Sequence, residues 1–191
     1  MSVEGIKFTK KYRCFKAGDS IEFRPGVNLL VGDQGCGKST VIGCIANPKE
    51  HGKGLFKLAV SKPGPLRFFD FEKHNPRKSS YMDPRLGAMG TVTMMYSSHG
   101  QAVNAILQGL KEFEEQPVLV LLDEPDMALS VRSINKLSNL LAEIAGTGVQ
   151  IIASAHNPFL MKSVPEVCSL EHRRWMPWEE FVESQQTTST F

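Results

Sequence analysis

The apolar positions along this chain fall into short unbroken runs and helical repeats, separated by turn residues. Val118-Leu119-Val120-Leu121-Leu122 is continuous rather than alternating. Such a run suits a central parallel strand covered on both faces. Residues 27–31 and 149–153 form two more short apolar strands. Helical spacing appears at Val103, Ile106, Leu107, Leu110 and Phe113, in a helix expected to start near Gly100 and stop at Pro117. It appears again at Val131, Ile134, Leu137, Leu140, Leu141 and Ile144, with Ser130 as the expected cap and Gly146 as the expected C-cap.

A further helix is expected over residues 38–46 and opening strands over 6–15 and 20–23, with Pro25-Gly26 turning the chain. Residues 55–60 and 66–71 read as strands parted by Lys62-Pro63-Gly64-Pro65. Residues 47–54 and 75–90 read as loops, the second mobile. The chain through Glu183 closes with a strand and a short helix. Residues 184–191 read as a frayed polar tail, so residues 1–183 form the single expected domain.

Composition narrows the class without naming a task. The 191 residues are 41% hydrophobic and 22% charged, which excludes a disordered or fibrous chain. The formal net charge is +2, so overall charge does not mark a nucleic-acid binder. Cys14, Cys36, Cys44 and Cys168 show no CxxC spacing and therefore no zinc signature. No signal-like or membrane-spanning run is present, so the expected setting is cytoplasmic, without direct membrane insertion.

The chemistry begins at Gly32-Asp33-Gln34-Gly35-Cys36-Gly37-Lys38-Ser39, which fits G-x-x-x-x-G-K-[ST]. The loop leaves an apolar strand and enters an apolar helix. Its glycines let successive N–H groups face a phosphate, and the helix N-terminus adds partial positive charge. Lys38 is suited to the β and γ phosphates, and Ser39 to Mg²⁺. Thr40 completes the nucleotide set, while Cys36 reads as a small space-filling residue. The expected fold is α/β: a P-loop NTPase with a mostly parallel central sheet flanked by helices and an N-terminal antiparallel portion.

Two other strand ends carry polar groups. The 118–122 run ends in Asp123-Glu124-Pro125, and ligands of open parallel sheets bind beyond the carboxyl ends of strands. Asp123 is the expected Mg²⁺ ligand, direct or through water. Glu124 is the expected general base for a water attacking the γ-phosphate. Residues 151–155 lead to His156, suited to donating to that phosphate or holding the water. His51, His74 and His172 lack such a context and read as surface residues.

This order of motifs resembles the ATP-binding-cassette (ABC) ATPase superfamily. Ser97-Ser98-His99-Gly100-Gln101 stands where that family has its signature loop; Ser98, Gly100 and Gln101 match, whereas Ser97 and His99 depart. The resemblance implies that Ser98, Gly100 and Gln101 contact ATP held by an opposite subunit. Pro125-Asp126-Met127-Ala128-Leu129-Ser130 resembles the D-loop, which crosses the dimer interface. The family's adenine-stacking aromatic is matched by Tyr12, with Phe15 second. Its Mg²⁺-binding glutamine has no counterpart between Gln34 and Gln101; Glu72 and His74 are the nearest substitutes.

Only 59 positions separate Ser39 from Ser98, and they read as strands and loops rather than a helical transporter-coupling subdomain. The resemblance is therefore to compact non-transport members, similar to the heads of DNA-repair and SMC-like proteins and to small stand-alone bacterial or phage ATPases. It implies ATP and Mg²⁺ as cofactors, an ATP-dependent homodimer and an effector or client protein. Nucleic acid remains open as a partner through the basic loop at Lys73, Arg77, Lys78 and Arg85. The rival readings are the ATPase subunit of a transporter and a nucleotide-dependent binding module with negligible turnover.

Overall fold

A computed structural model describes residues 2–71 and 118–187. The helix expected from Gly100, the loop over 75–90, the signature-like segment and the basic loop lie outside the described residues.

Two sheets organise the rest. The smaller has the order β2-β1-β4 and is antiparallel, with β1 at Ser2–Phe8, β2 at Ser20–Glu22 and β4 at Phe56–Lys62. The larger has the order β5-β6-β7-β3-β8-β9. Its strands are β3 (Val27–Val31), β5 (Leu66–Asp70), β6 (Leu119–Asp123), β7 (Gln150–Ser154), β8 (Glu166–Ser169) and β9 (Arg174–Pro177). Every neighbouring pair is parallel except β8 with β9. The mostly parallel central sheet and the N-terminal antiparallel portion are both as expected.

The unbroken apolar runs are explained by two cores, one on each face. Leu29, Val31, Val120, Leu122, Ile151 and Ala153 pack with Ile134, Leu137, Leu140, Leu141 and Ile144 of α2 (Val131–Gly146). Leu30, Leu119, Leu121 and Ile152 point the other way, toward Val41, Ile42 and Ile45 of α1 (Lys38–Ala46). Ile6, Phe8 and Ile21 of the small sheet close that second core. Alternate residues of each strand thus enter different cores, and no polar face is left.

Buried polar residues in these runs earn their place by hydrogen bonding. The Asn28 side chain accepts from Arg24 N at 2.7 Å and donates to the carbonyls of Arg24, Gly26 and Ile151. Gln150 ties the two sheets together. Its Oε1 accepts from Val3 N at 2.8 Å, and its Nε2 donates to Val3 O at 2.9 Å and Arg24 O at 3.0 Å.

Some boundaries differ from expectation. Strand β1 ends at Phe8, not at residue 15, because the chain folds back: Phe8 N donates to Asp19 O and Gly18 N to Phe8 O. Tyr12 and Phe15 exchange backbone hydrogen bonds across a tight turn, with Arg13 at φ 52°. Ser130 does cap α2, accepting from Ser133 N. Gly146, however, is the last helical residue; Thr147 is the C-cap, and the left-handed position falls to Gly148 at φ 89°. Val131 is exposed rather than core-facing, and the buried face of α2 begins at Ile134. Two short helices follow among the described residues, α3 (Pro158–Met161) and α4 (Trp178–Thr187). Helix α4 runs past Glu183, and Gln185 within it donates to Glu171.

Replacing Gln150 by Leu removes the side-chain partner of the Val3 N–H and the Val3 carbonyl and leaves the Arg24 carbonyl with Asn28 alone. The expected loss is about 2–4 kcal/mol, since an orphaned buried polar group costs about 1–3 kcal/mol. Urea unfolding measures it; a loss below about 0.5 kcal/mol, the scale of an ordinary surface substitution, would sink the assignment.

Candidate functional site

The phosphate-loop segment runs from the end of β3 to the first turn of α1. Asp33, Gln34 and Gly35 form its exposed crest. Gly32, Gly35 and Gly37 all have positive φ, at 137°, 87° and 107°. Gly37 is required twice over. A Cβ there would also lie 2.6 Å from the Cys14 sulfur and from the Phe15 ring. Cys36 fills space as expected, its sulfur lying where a Cβ on Gly32 would fall. Burial raises the Cys36 pKa, against the opposing influence of the Lys38 ammonium.

The buried Lys38 side chain curls back over the loop. Its Nζ donates to Gly32 O at 2.5 Å and to Asp33 O at 3.1 Å. Glu171, in the turn after β8, accepts from Asp33 N, and Gln185 holds its other oxygen at 3.0 Å. On the opposite flank, Arg13 donates to Thr40 Oγ1 at 3.2 Å, and Cys14 donates to the Cys36 carbonyl at 3.2 Å.

Asp123 stands at the end of β6, beside the loop. Its Oδ1 accepts from Ser39 Oγ at 3.1 Å and from Ser154 Oγ at 2.8 Å. Burial pushes its carboxyl above the usual aspartate range. The Ser154 and Ser39 hydroxyls pull it back, and the nearby charges of Asp70 and Glu124 push it up again. Asp70 pairs in register with Asp123 across β5 and β6 and is itself buried. A serine hydroxyl joined to an aspartate carboxylate is a hard oxygen donor set, the kind that suits Mg²⁺.

Glu124 follows with φ 57°, a left-handed conformation uncommon for a residue bearing a side chain. Its N–H donates to Ser154 Oγ at 2.7 Å. Its carboxylate lies 3.5 Å from His156 Nε2, and both side chains are partly exposed, at 31% and 43%. Asp126 in the same turn is buried. Its Oδ2 accepts from His156 N at 2.8 Å and Asn157 N at 2.7 Å, while its Oδ1 has no hydrogen-bond partner among the described residues.

Lys38, Ser39, Thr40, Asp123, Glu124 and His156 therefore converge at the carboxyl ends of β3, β6 and β7. Ser98, Gly100 and Gln101 lie outside the described residues, as do Glu72 and His74. Tyr12 is half-buried. Its hydroxyl meets His51 Nδ1 at 3.1 Å, and the Arg13 guanidinium sits over its ring. Phe15 is not a stacking platform: it is fully buried, with Phe8 stacked at 4.1 Å and Arg173 over its ring. His51 is also more than a surface residue, because it packs against Gly43 of α1, where a Cβ would fall 2.7 Å from its Nε2.

Sequence reading gave no individual role to Ser154, Asp70 and Arg13, and took Asp126 only as part of the D-loop-like segment. Ser154 and Asp126 had a usable signal, since each is a polar residue at or just beyond the end of an apolar strand. Arg13 had none, because its reach to Thr40 depends on the turn that ends β1.

Comparisons with known proteins bear on the fold. Residues 9–47 match a family model described as an AAA domain. Residues 99–162 match a second, described as an AAA domain, putative AbiEii toxin, Type IV TA system. No curated protein matches the chain. Among solved structures, a putative metal-chelate type ABC transporter aligns at 18% identity and TM-score 0.60, over 91% of this chain and 81% of that one. The ADP conformation of MJ1267, an ATP-binding cassette of an ABC transporter, aligns at 15% identity and TM-score 0.57, over 88% and 87%. A part of the cbiONQ ABC transporter complex from Clostridium perfringens aligns at 15% identity and TM-score 0.59, over 98% and 93%. The fold is that of ABC-type P-loop NTPases, and the AAA matches support ATP hydrolysis. No helix among the described residues is long and apolar enough to cross a membrane.

The raised Asp123 pKa has a direct consequence for stability. A carboxyl whose folded pKa lies above its unfolded value favours folding while protonated and penalises it once ionised. Metal-free Asp123→Asn is therefore expected to melt above wild type at neutral pH. The gap should close as pH falls into the ordinary aspartate range, where the wild-type carboxyl takes up its proton. Thermal melts from pH 4 to 8 check this, and a gap that stays constant with pH contradicts it.

Proposed function

We propose that the protein is an ATPase whose nucleotide cycle drives dimerisation and signals to a client protein. The observation that carries this reading is the meeting of Ser39 and Asp123 beside the buried Lys38, with Glu124 and His156 paired one step further from the strands. Lys38, relieved of the Gly32 and Asp33 carbonyls, neutralises the β and γ phosphates, and the loop amides and the N-terminus of α1 hold their oxygens. Ser39 and Asp123 would hold Mg²⁺, which supplies further neutralisation of phosphate charge.

Glu124 takes a proton from water as the water oxygen bonds to the γ-phosphorus. The bond to the ADP oxygen breaks, yielding ADP and phosphate. His156 orients the water and donates to the γ-phosphate. The ABC resemblance supports a dimer in which Ser98, Gly100 and Gln101 of a second copy close over the nucleotide, with Tyr12 against the adenine. The match to a model named for a toxin–antitoxin system favours a non-transport role.

Two measurements test this. Phosphate release should fall about a hundredfold or more in Lys38→Ala, because charge stabilisation of the transferring group is the largest part of such catalysis; equal rates would leave only a binding module. Glu124→Gln should bind ATP yet hydrolyse it slowly, accumulating as a dimer in light scattering with ATP and Mg²⁺. A variant that stays monomeric there rules out the dimer switch.

A further inference from the structure

We infer that Asp126 is the positioning residue that sets His156 against Glu124, an inference that rests on the hydrolytic roles proposed for those two residues. The need for such a residue follows from the backbone. Strand β7 ends at Ser154, and Ala155 N still reaches the sheet by donating to Leu30 O at 2.9 Å. His156 and Asn157 have left the ladder and precede the four-residue helix α3, so their N–H groups find no strand partner. Both donate to one oxygen, Oδ2 of Asp126, at 2.8 and 2.7 Å.

Asp126 lies two residues after Glu124, in the turn that follows β6. One carboxylate therefore ties the backbone carrying the histidine to the backbone carrying the glutamate. Hydrogen bonds from N–H groups to a carboxylate are stronger and shorter than those to a neutral acceptor. The side chains being positioned need this help. Glu124 and His156 are partly exposed and meet at 3.5 Å, a separation too long to fix either one. Asp126 itself is only 3% exposed, and its Oδ2 is taken up by the two backbone amides. Its role is thus exerted through His156 rather than on the nucleotide.

The experiment uses the full chain with ATP and Mg²⁺. Asp126→Ala should lower kcat about ten- to a hundredfold, the cost of a misplaced catalytic group, with ATP affinity changed less than about twofold. Asp126→Asn keeps a neutral acceptor and should lose less than the alanine variant, which also guards against simple misfolding. The discriminating step is a double-mutant cycle. In a His156→Ala background, Asp126→Ala should cause no further fall in kcat; losses that multiply would overturn the inference.

A second readout is independent of turnover. The His156 and Asn157 amide signals of metal-free protein in ¹H–¹⁵N spectra should shift upfield together in Asp126→Ala. Unmoved signals would also overturn the inference. If wild type and Lys38→Ala release phosphate equally, the hydrolytic reading fails, and the amide signals alone decide whether the clamp exists.

Discussion

A single oxygen, Oδ1 of Asp123, is where three separate parts of the chain are brought to agreement. It accepts from Ser39 in the first turn of α1 and from Ser154 at the end of β7, while belonging to β6. Each of these segments arrives from a different apolar run, and each could end a residue early or late without harming its core. The shared acceptor removes that freedom. It also carries a cost, since burial disfavours the ionised carboxylate that gathers the hydroxyls. This junction aligns the phosphate loop with the ends of β6 and β7.

The same logic recurs in the surroundings. Gln150 joins the small sheet to the large one by satisfying backbone groups of Val3 and Arg24. Asn28 holds the turn that introduces β3. Glu171 and Gln185 bring the C-terminal helix to the phosphate loop. Apolar burial on the two faces supplies the cohesion, and a few buried polar side chains decide the alignment of what is cohesive. This division of labour places a concentrated set of charges at one end of a sheet whose interior is almost wholly aliphatic.

Much of this was legible in the residues. The runs at 27–31 and 118–122 announced central strands because both faces of such strands are buried, leaving no alternation to misread. The phosphate loop was legible because its glycines and lysine are demanded by backbone geometry and charge. Ser130 was legible as a cap because its hydroxyl answers a local need. What was hidden depended on distant partners. Nothing near Tyr12 signals that β1 stops at Phe8, since that follows from pairing with Asp19 and Gly18. Nothing in the α2 pattern separates exposed Val131 from buried Ile134, because burial depends on what packs against the helix. Asp126 stands in the segment compared with the D-loop, yet its contact with residues thirty positions later belongs to tertiary structure.

The backbone of Glu124 carries a consequence of its own. With φ at 57°, this position would be held at lower energy by glycine, by about 1–2 kcal/mol for a fully left-handed residue. A drift toward stability alone therefore leads away from the carboxylate. A glutamate there is therefore held against the local preference of the backbone, by a turn whose neighbours Ser154 and Asp126 fix it from both sides.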